Sequence, residues 1–384
     1  MSNSPFRSFW QHRIQESLAK RSLCWLQGPR RLGKTTLCRS LAPAGFYNCD
    51  LPSVQRDLAD PEVFLKSLDP RRGFYVFDEI HQIPDPSRLL KIAADEFPAL
   101  RIVATGSSTL AATQKFKDAL TDRKREVHLT PILCEELASF DRDDLKLRMM
   151  RGGLPPSLLA ASWDGEFFSE WIDSFYAKDM QELYAIDKRQ PFIQLFELLL
   201  YQNGGMADVT DFAKKCGISR PTTIKYMEAL EQTRVIHVIR PFHGGGEQEI
   251  VRQPKVYAFD TGFVCYARGW GELRPEDCGH LLENLTLESL HASVKPRQIH
   301  YWRTKQKKEV DFVLKERGVL HAIECKWRWN SFDAEGLKSF RAQHPEGLNL
   351  CVTSEGRVEK FQVQGMEILH VPIRQLRQWV DENL

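Results

Sequence analysis

Residues 28–35 read Gly28-Pro29-Arg30-Arg31-Leu32-Gly33-Lys34-Thr35, a complete G-x-x-x-x-G-K-[ST] spacing followed at once by Thr36. This spacing suits phosphate chemistry. The two glycines let the backbone curl so that successive N–H groups face phosphate oxygens. The ammonium of Lys34 reaches the β- and γ-phosphates, and the hydroxyl of Thr35 is a ligand for Mg²⁺. A plain glycine turn between strand and helix is the alternative, but such a turn has no use for Lys34 and Thr35 after its second glycine. Further on, Gly73-Phe74-Tyr75-Val76-Phe77 reads as a buried strand that ends in Asp78-Glu79. Asp78 is expected to hold Mg²⁺ through water, and Glu79 to orient and deprotonate the attacking water, because phosphoryl transfer needs positioning and charge neutralisation above all. An acidic pair after a strand is by itself often only a helix N-terminus. Behind a full phosphate loop it reads as the second half of a site for ATP and Mg²⁺.

A third strand, Leu100 to Thr105, runs into Gly106-Ser107-Ser108. Thr105 and Ser107 are the candidates for a polar sensor of the γ-phosphate, and a serine-rich helix cap is the compatible alternative. Downstream, Leu120-Thr121-Asp122-Arg123-Lys124-Arg125 precedes a further strand from Glu126 to Leu129. Arg123 is the candidate arginine finger, acting on the γ-phosphate of a neighbouring subunit, with Lys124 and Arg125 left to solvent.

Two other constellations lie towards the C-terminus. Val209 to Leu230 reads as a helix-turn-helix: Gly217 makes the turn, Ser219 caps the second helix, Pro221 suits its first turn, and Ile224, Met227 and Leu230 face inward. The second helix of a DNA reader enters the major groove, which would expose Arg220, Thr222, Thr223 and Lys225. A rigid spacer or protein contact is the competing use, since two basic residues are few. Val235–Ile239, His243-Gly244-Gly245-Gly246 and Lys255–Phe259 supply a hairpin wing. From about Gly279, Glu283 on a helix, Asp311 on a strand, and Glu324 with Lys326 on another follow the E, D, E-x-K order of restriction-endonuclease-like nucleases. Period-2 spacing puts Glu324 and Lys326 on one face, and a hairpin brings Asp311 beside them. Glu283, Asp311 and Glu324 are candidate Mg²⁺ ligands, with Lys326 stabilising developing charge and helping to activate water. The same residues also suit a salt-bridge network. Arg303, Lys305, Lys307, Lys308, Trp327, Arg328 and Trp329 suit either a phosphate backbone or a solvated rim.

These strings resemble prokaryotic AAA-type ATPases that carry a C-terminal "domain of unknown function 4143". The resemblance rests on the phosphate loop, Phe77-Asp78-Glu79-Ile80-His81, Thr105-Gly106-Ser107-Ser108 and Pro131-Ile132-Leu133-Cys134-Glu135-Glu136-Leu137. It continues in Gly152-Gly153-Leu154-Pro155, in Lys255 to Gly262, in Glu309-Val310-Asp311-Phe312 and in Ile323-Glu324-Cys325-Lys326. It covers nearly the whole chain and implies an oligomeric, ATP-hydrolysing machine, with a hexameric ring as one form of the oligomer. Two positions depart from the family pattern. Asp122 stands where the family carries glycine, and is placed to pair with Arg123. Pro131-Ile132-Leu133-Cys134 replaces Pro-Leu-Ser-Phe.

The elements that must position these residues give an α/β fold class. Strands near residues 22, 45, 74, 101 and 126 alternate with helices, as a parallel sheet requires. The expected organisation is a P-loop ATPase core over 1–134, a helical lid over 135–190, a winged helix over 191–270 and a restriction-endonuclease-like α/β domain over 271–384. Within the lid, Phe168, Trp171, Ile172 and Phe175 at helical spacing read as core. The 384 residues, 42% of them hydrophobic, suffice for two or three ordinary cores. A net charge of +2 says little about nucleic acid. No apolar run approaches the roughly 20 residues of a membrane helix, and the first residues lack the pattern of a secretory signal, so no membrane partner and a cytoplasmic location are expected. The nine cysteines include no C-x-x-C pair and read as reduced structural residues.

Three functions fit: an ATPase that binds, remodels or translocates on DNA; a nucleotide-gated adaptor whose C-terminal domains bind a protein partner and whose nuclease fold is inactive; and an ATP-licensed, Mg²⁺-dependent DNA endonuclease.

Overall fold

The computed structural model describes residues 7–106, 120–244 and 253–384. Ser107, and Gly245-Gly246 of the expected wing, lie outside the described residues. The chain divides into two compact units: one of Met1–Leu129, Asp173–Asp187 and Gln232–Arg234, the other of Thr130–Ile172, Lys188–Glu231 and Val235–Leu384.

The first unit is built on five parallel strands, β1 (Leu23–Gln27), β2 (Gly45–Asn48), β3 (Phe74–Asp78), β4 (Arg101–Gly106) and β5 (Lys124–His128), in the order β2-β3-β4-β1-β5. Every residue of β1 is buried, as expected of a central parallel strand with both faces covered. Leu23 and Trp25 of β1 pack in one core with Tyr75 and Phe77 of β3, Ile102 and Ala104 of β4, and Leu89, Leu90 and Ala93. The last three come from the helix Pro86–Glu96, which starts on proline after Asp85, whose carboxylate accepts the Arg88 N–H at 3.0 Å. β4 lies between β1 and β3, with Leu26 opposite Thr105 and Phe77 opposite Ala104. All three strands therefore end on the same edge of the sheet, where Gly28, Asp78 and Thr105 stand.

The second unit contains the helices Val209–Cys216 and Arg220–Gln232 with their turn at Gly217, where φ is 63°. Asp208 and Ser219 cap the two N-termini by accepting backbone N–H groups. An antiparallel pair follows, β6 (Ile236–Ile239) and β7 (Lys255–Ala258). A long helix, Pro275–Ser293, precedes a six-stranded mixed sheet of β8 (Ile299–Arg303), β9 (Glu309–Glu316), β10 (Val319–Cys325), β11 (Asn349–Thr353), β12 (Glu359–Val363) and β13 (Met366–Pro372). Its order is β12-β13-β11-β10-β9-β8, antiparallel at both edges and parallel from β10 through β11 to β13. Trp302, Val310, Val313, Ala322, Cys351 and Ile368 form its core with Leu337 and Phe340 of the helix Glu335–Arg341.

The stretch expected to form a lid is divided between the units. Residues Thr130–Ile172 cluster with the second, and Asp173–Asp187 with the first. Phe168, Trp171, Ile172 and Phe175 are all buried, as their spacing indicated. All nine cysteines are buried and free. Among the described residues no helix is long and apolar enough to cross a membrane.

Candidate functional site

The phosphate loop joins β1 to the helix Lys34–Ser40 through backbone that glycine makes possible. Gly33 is left-handed with φ of 84°, and a Cβ on Gly28 would stand 2.7 Å from both the Leu129 carbonyl oxygen and Leu32 Cδ1. Arg31 also has a positive φ, 65°, and is exposed, as is Thr36. Pro29 and Leu32 are buried and anchor the loop. Lys34 is buried, and its Nζ donates to the carbonyls of Gly28 at 2.9 Å and Pro29 at 3.1 Å. Burial pulls its pKa below the usual lysine value, and the Glu79 carboxylate acts against that shift.

Asp78 ties the loop to the neighbouring strands. Its Oδ2 accepts from Thr35 Oγ1 at 2.8 Å and its Oδ1 from Thr105 Oγ1 at 2.5 Å. Thr105 Oγ1 in turn accepts the Glu79 backbone N–H at 3.0 Å. Glu79, half-buried and left-handed at φ 53°, lies with its Oε2 3.3 Å from His81 Nδ1. The Thr35 hydroxyl and the Asp78 carboxylate are adjacent hard oxygen donors, a set suited to Mg²⁺. The inserted strand β4 is what brings Thr105 into contact with both acidic residues. The loop also has a partner the motif does not reveal: Arg30 Nε is bonded to Asp179 Oδ2, a carboxylate only 3% exposed on a π-helical turn, Tyr176–Gln181. Such turns are rare and recur at functional sites.

Arg123 stands apart from this constellation. It precedes β5, whose first residue, Lys124, is opposite Leu23, whereas the phosphate loop leaves β1 at its other end. Its Nε donates to Asp95 Oδ1 at 2.6 Å. The pairing expected with Asp122 is thus made with Asp95, while Asp122 adopts φ of 62°. That left-handed backbone is the physical reason a glycine suits this position.

On the helix Arg220–Gln232, Arg220 and Lys225 are exposed and Thr222 is half-buried, its hydroxyl 2.8 Å from Ser219 Oγ. Thr223 departs from expectation. It is fully buried, donating to the Ser219 carbonyl at 3.1 Å, so it is a packing residue and no part of an exposed face. Its place three positions before the buried Tyr226 and four before Met227 puts it on the core side.

The E, D, E-x-K residues are brought together in part. The register that sets Ile323 opposite Phe312 puts Asp311 next to Glu324. Both line a cleft of about 410 Å³ with Lys326, Lys307, Lys308 and Glu309. Glu324 Oε2 lies 3.0 Å from Lys326 Nζ, and Asp311 Oδ2 accepts the Cys325 N–H at 2.8 Å. Burial, then the Asp311 charge, raise the Glu324 carboxyl well above its ordinary value. Glu283 stays within reach of the Asp311 charge but is held by other partners: its Oε2 accepts the Tyr257 hydroxyl at 2.7 Å and lies 3.9 Å from Lys255 Nζ. Among the described residues no group of three His, Cys, Asp or Glu side chains is placed to hold a metal ion.

Sequence reasoning did not find a buried ion pair behind the Gly152-Gly153 and Asp260-Thr261-Gly262 strings. Arg148, with no exposed surface, pairs with Glu288 and donates to Ile132 O at 2.7 Å and Thr261 Oγ1 at 3.0 Å. The Gly153 N–H donates to Asp260 Oδ2 at 2.5 Å, and a Cβ on Gly152 would come within 1.9 Å of Asp260 Oδ1.

Comparison with known proteins matches three segments of the chain. Residues 20–138 match the AAA domain family, 142–274 match domain of unknown function 8612, and 278–373 match domain of unknown function 4143. The uncharacterized proteins Rv2008c of Mycobacterium tuberculosis and Mb2031c of Mycobacterium bovis are each 28% identical over 327 residues, 82% of this chain and 72% of theirs. Similar solved structures include the Walker-type ATPase PABY2304 of Pyrococcus abyssi, at 16% identity and TM-score 0.45 over 69% of this chain and 96% of that one. Cdc6p of Pyrobaculum aerophilum is similar at 9% identity and TM-score 0.29, over 70% and 94% of the two chains.

Proposed function

From a chain that joins an AAA domain to a C-terminal domain of unknown function 4143, we propose an ATPase that hydrolyses Mg-ATP and uses the cycle on DNA. The observation that carries the ATPase reading is the convergence of Thr35, Asp78, Glu79 and Thr105, linked by hydrogen bonds of 2.5–3.0 Å, on the sheet edge where Lys34 is held by the carbonyls of the phosphate loop.

When bound, ATP supplies the phosphoryl group to be transferred and Mg²⁺ offsets the charge of its oxygens. The chain's own residues would do the rest. Gly28 through Thr36 form the cradle, with Arg30 and Lys34 as its cations. The Lys34 ammonium would exchange two neutral carbonyls for phosphate oxygens, which make the stronger, charge-assisted bonds. Thr35 and Asp78 would hold the metal. Glu79, beside the metal ligand and half-open to solvent, would orient a water and take its proton. Thr105, bonded to Asp78 and to the backbone of Glu79, would relay the state of the site between them. Arg123 would act on a neighbouring subunit's site, which makes the working form a homo-oligomer.

DNA is the partner that the exposed Arg220 and Lys225, on the second helix of a helix-turn-helix, would serve through phosphate and groove contacts. A nucleotide-gated adaptor for a protein is the second reading, favoured by the few cations on that helix, Arg220 and Lys225, and by the withdrawal of the polar Thr223 into the core. Steady-state hydrolysis with and without single-stranded, duplex and branched DNA, at two salt concentrations, separates the two. The expected result is stimulation that weakens with salt, and a turnover at least about 100-fold lower in Glu79→Gln with nucleotide binding kept. Hydrolysis indifferent to every DNA would favour the adaptor.

A further inference from the structure

Four carboxylates and two lysines gather at the C-terminal sheet of the second unit, and the ATPase reading uses none of them. Glu283 comes from the helix Pro275–Ser293, Glu309 and Asp311 from β9, and Glu324 from β10. Acids this close, two of them buried and two partly so, call for neutralisation, because an unpaired buried charge is far costlier than a paired one. A divalent ion is one way to do so. We propose that the chain does it with its own cation: the ammonium of Lys255, reaching in from β7, neutralises Glu283 and Glu309 as Lys326 neutralises Glu324, so this constellation is a lysine-clasped joint between β7 and the C-terminal sheet and does not need Mg²⁺.

The contacts bear on this one by one. Lys255 is 4% exposed. Its Nζ is bonded to Glu309 Oε1, lies 3.9 Å from Glu283 Oε2, and stands 5.6 Å from the centre of the Tyr301 ring, a favourable place for a cation. Tyr257, two residues along β7 and so on the same face, donates its hydroxyl to Glu283 at 2.7 Å. The second oxygen of Glu309 takes Arg303 Nη1 at 2.6 Å. Asp311 has the Cys325 N–H, and Glu324 has Lys326. Each carboxylate is thus oriented by a donor of this chain, whereas a Mg²⁺ ion demands near-octahedral oxygen ligation. Asp311 and Glu324 still line the open cleft.

This inference stands independently of the ATPase reading and is tested on the full chain with Mn²⁺ as the probe. In isothermal titration, wild type and Asp311→Asn are expected to bind Mn²⁺ with the same stoichiometry and affinity. A wild-type site that disappears in Asp311→Asn or Glu324→Gln would overturn the proposal. Those two variants leave Lys255 in place, so the comparison holds even if removing Lys255 prevents folding. Lys255→Met, if folded, is expected to lower the thermal midpoint and to gain a Mn²⁺-dependent rise of several degrees that Lys255→Met/Asp311→Asn lacks. A folded Lys255→Met indifferent to Mn²⁺ would remove Lys255 from the role of substitute cation.

Discussion

Arg30 shows how a loop motif acquires a property its spacing does not contain. Any residue fits between the two glycines, yet this arginine is held by Asp179, a nearly buried carboxylate that also acts on Lys34 and His81 through its charge. A fixed negative charge beside a phosphate cradle opposes anion binding and occupies one of the cradle's cations. Asp179→Asn is therefore expected to tighten ADP and ATP a few-fold, on the order of 1 kcal/mol, a partly exposed arginine limiting the effect. Titration with a fluorescent nucleotide measures this directly. Weaker binding in the variant would instead mean that Asp179 positions Arg30 for phosphate. Lys34 serves as the internal reference, since Lys34→Ala should abolish binding whatever Asp179 does.

At the scale of elements, the helix Leu145–Arg151 is fastened to the helices Thr261–Arg268 and Pro275–Ser293 by Arg148. The side chain has no exposed surface and spends its guanidinium on Glu288, Thr261 and a backbone carbonyl. Breaking such a pair strands the remaining charge, so Arg148→Met is expected to cost about 3–5 kcal/mol of stability, while adding Glu288→Leu should recover most of the loss. Chemical denaturation of the two variants checks the sign. Equal destabilisation by single and double variants would mean that the packing of Arg148, and not its charge, matters. The turn and the second cap of the helix pair were legible in the sequence: Gly217 and Ser219 act as their types and positions indicated, whereas the cap at Asp208 came from the structure. The burial of Thr223 was not. A β-branched residue with a hydroxyl that can bond back to the preceding turn suits a core position as well as an exposed one.

For the whole molecule, the placement of Arg123 decides what kind of assembly the ATPase reading requires. The loop and Arg123 leave opposite ends of the paired strands β1 and β5, about 16 Å apart at 3.3 Å per residue. An arginine at that end cannot act on its own chain's loop without rearranging the sheet. Hydrolysis per chain is accordingly expected to rise with protein concentration, and Arg123→Ala to lower it by about 10³-fold or more at saturating concentration. Sedimentation run in parallel tells loss of assembly from loss of catalysis. Turnover independent of dilution, with Arg123→Ala silent, would leave Arg123 as the surface partner of Asp95 alone.

Short-range pattern was readable in one dimension. Parallel strands buried on both faces read as unbroken apolar runs, so β1, β3 and β4 and the polar residues at their ends were visible in one dimension, as were the phosphate loop and Asp78-Glu79. Thr105 was legible as a sensor candidate because it ends such a run. The distant partner of each charge became visible in the fold alone. Arg30 reaches Asp179, 149 residues on, and Arg148 reaches Glu288, 140 residues on. Lys255 enters the acid cluster from a strand outside the E, D, E-x-K pattern. The reason is physical: hydrogen-bond spacing along a helix or strand is local, whereas the neutralisation of a buried charge is satisfied by whichever opposite charge the packing of the elements brings within reach.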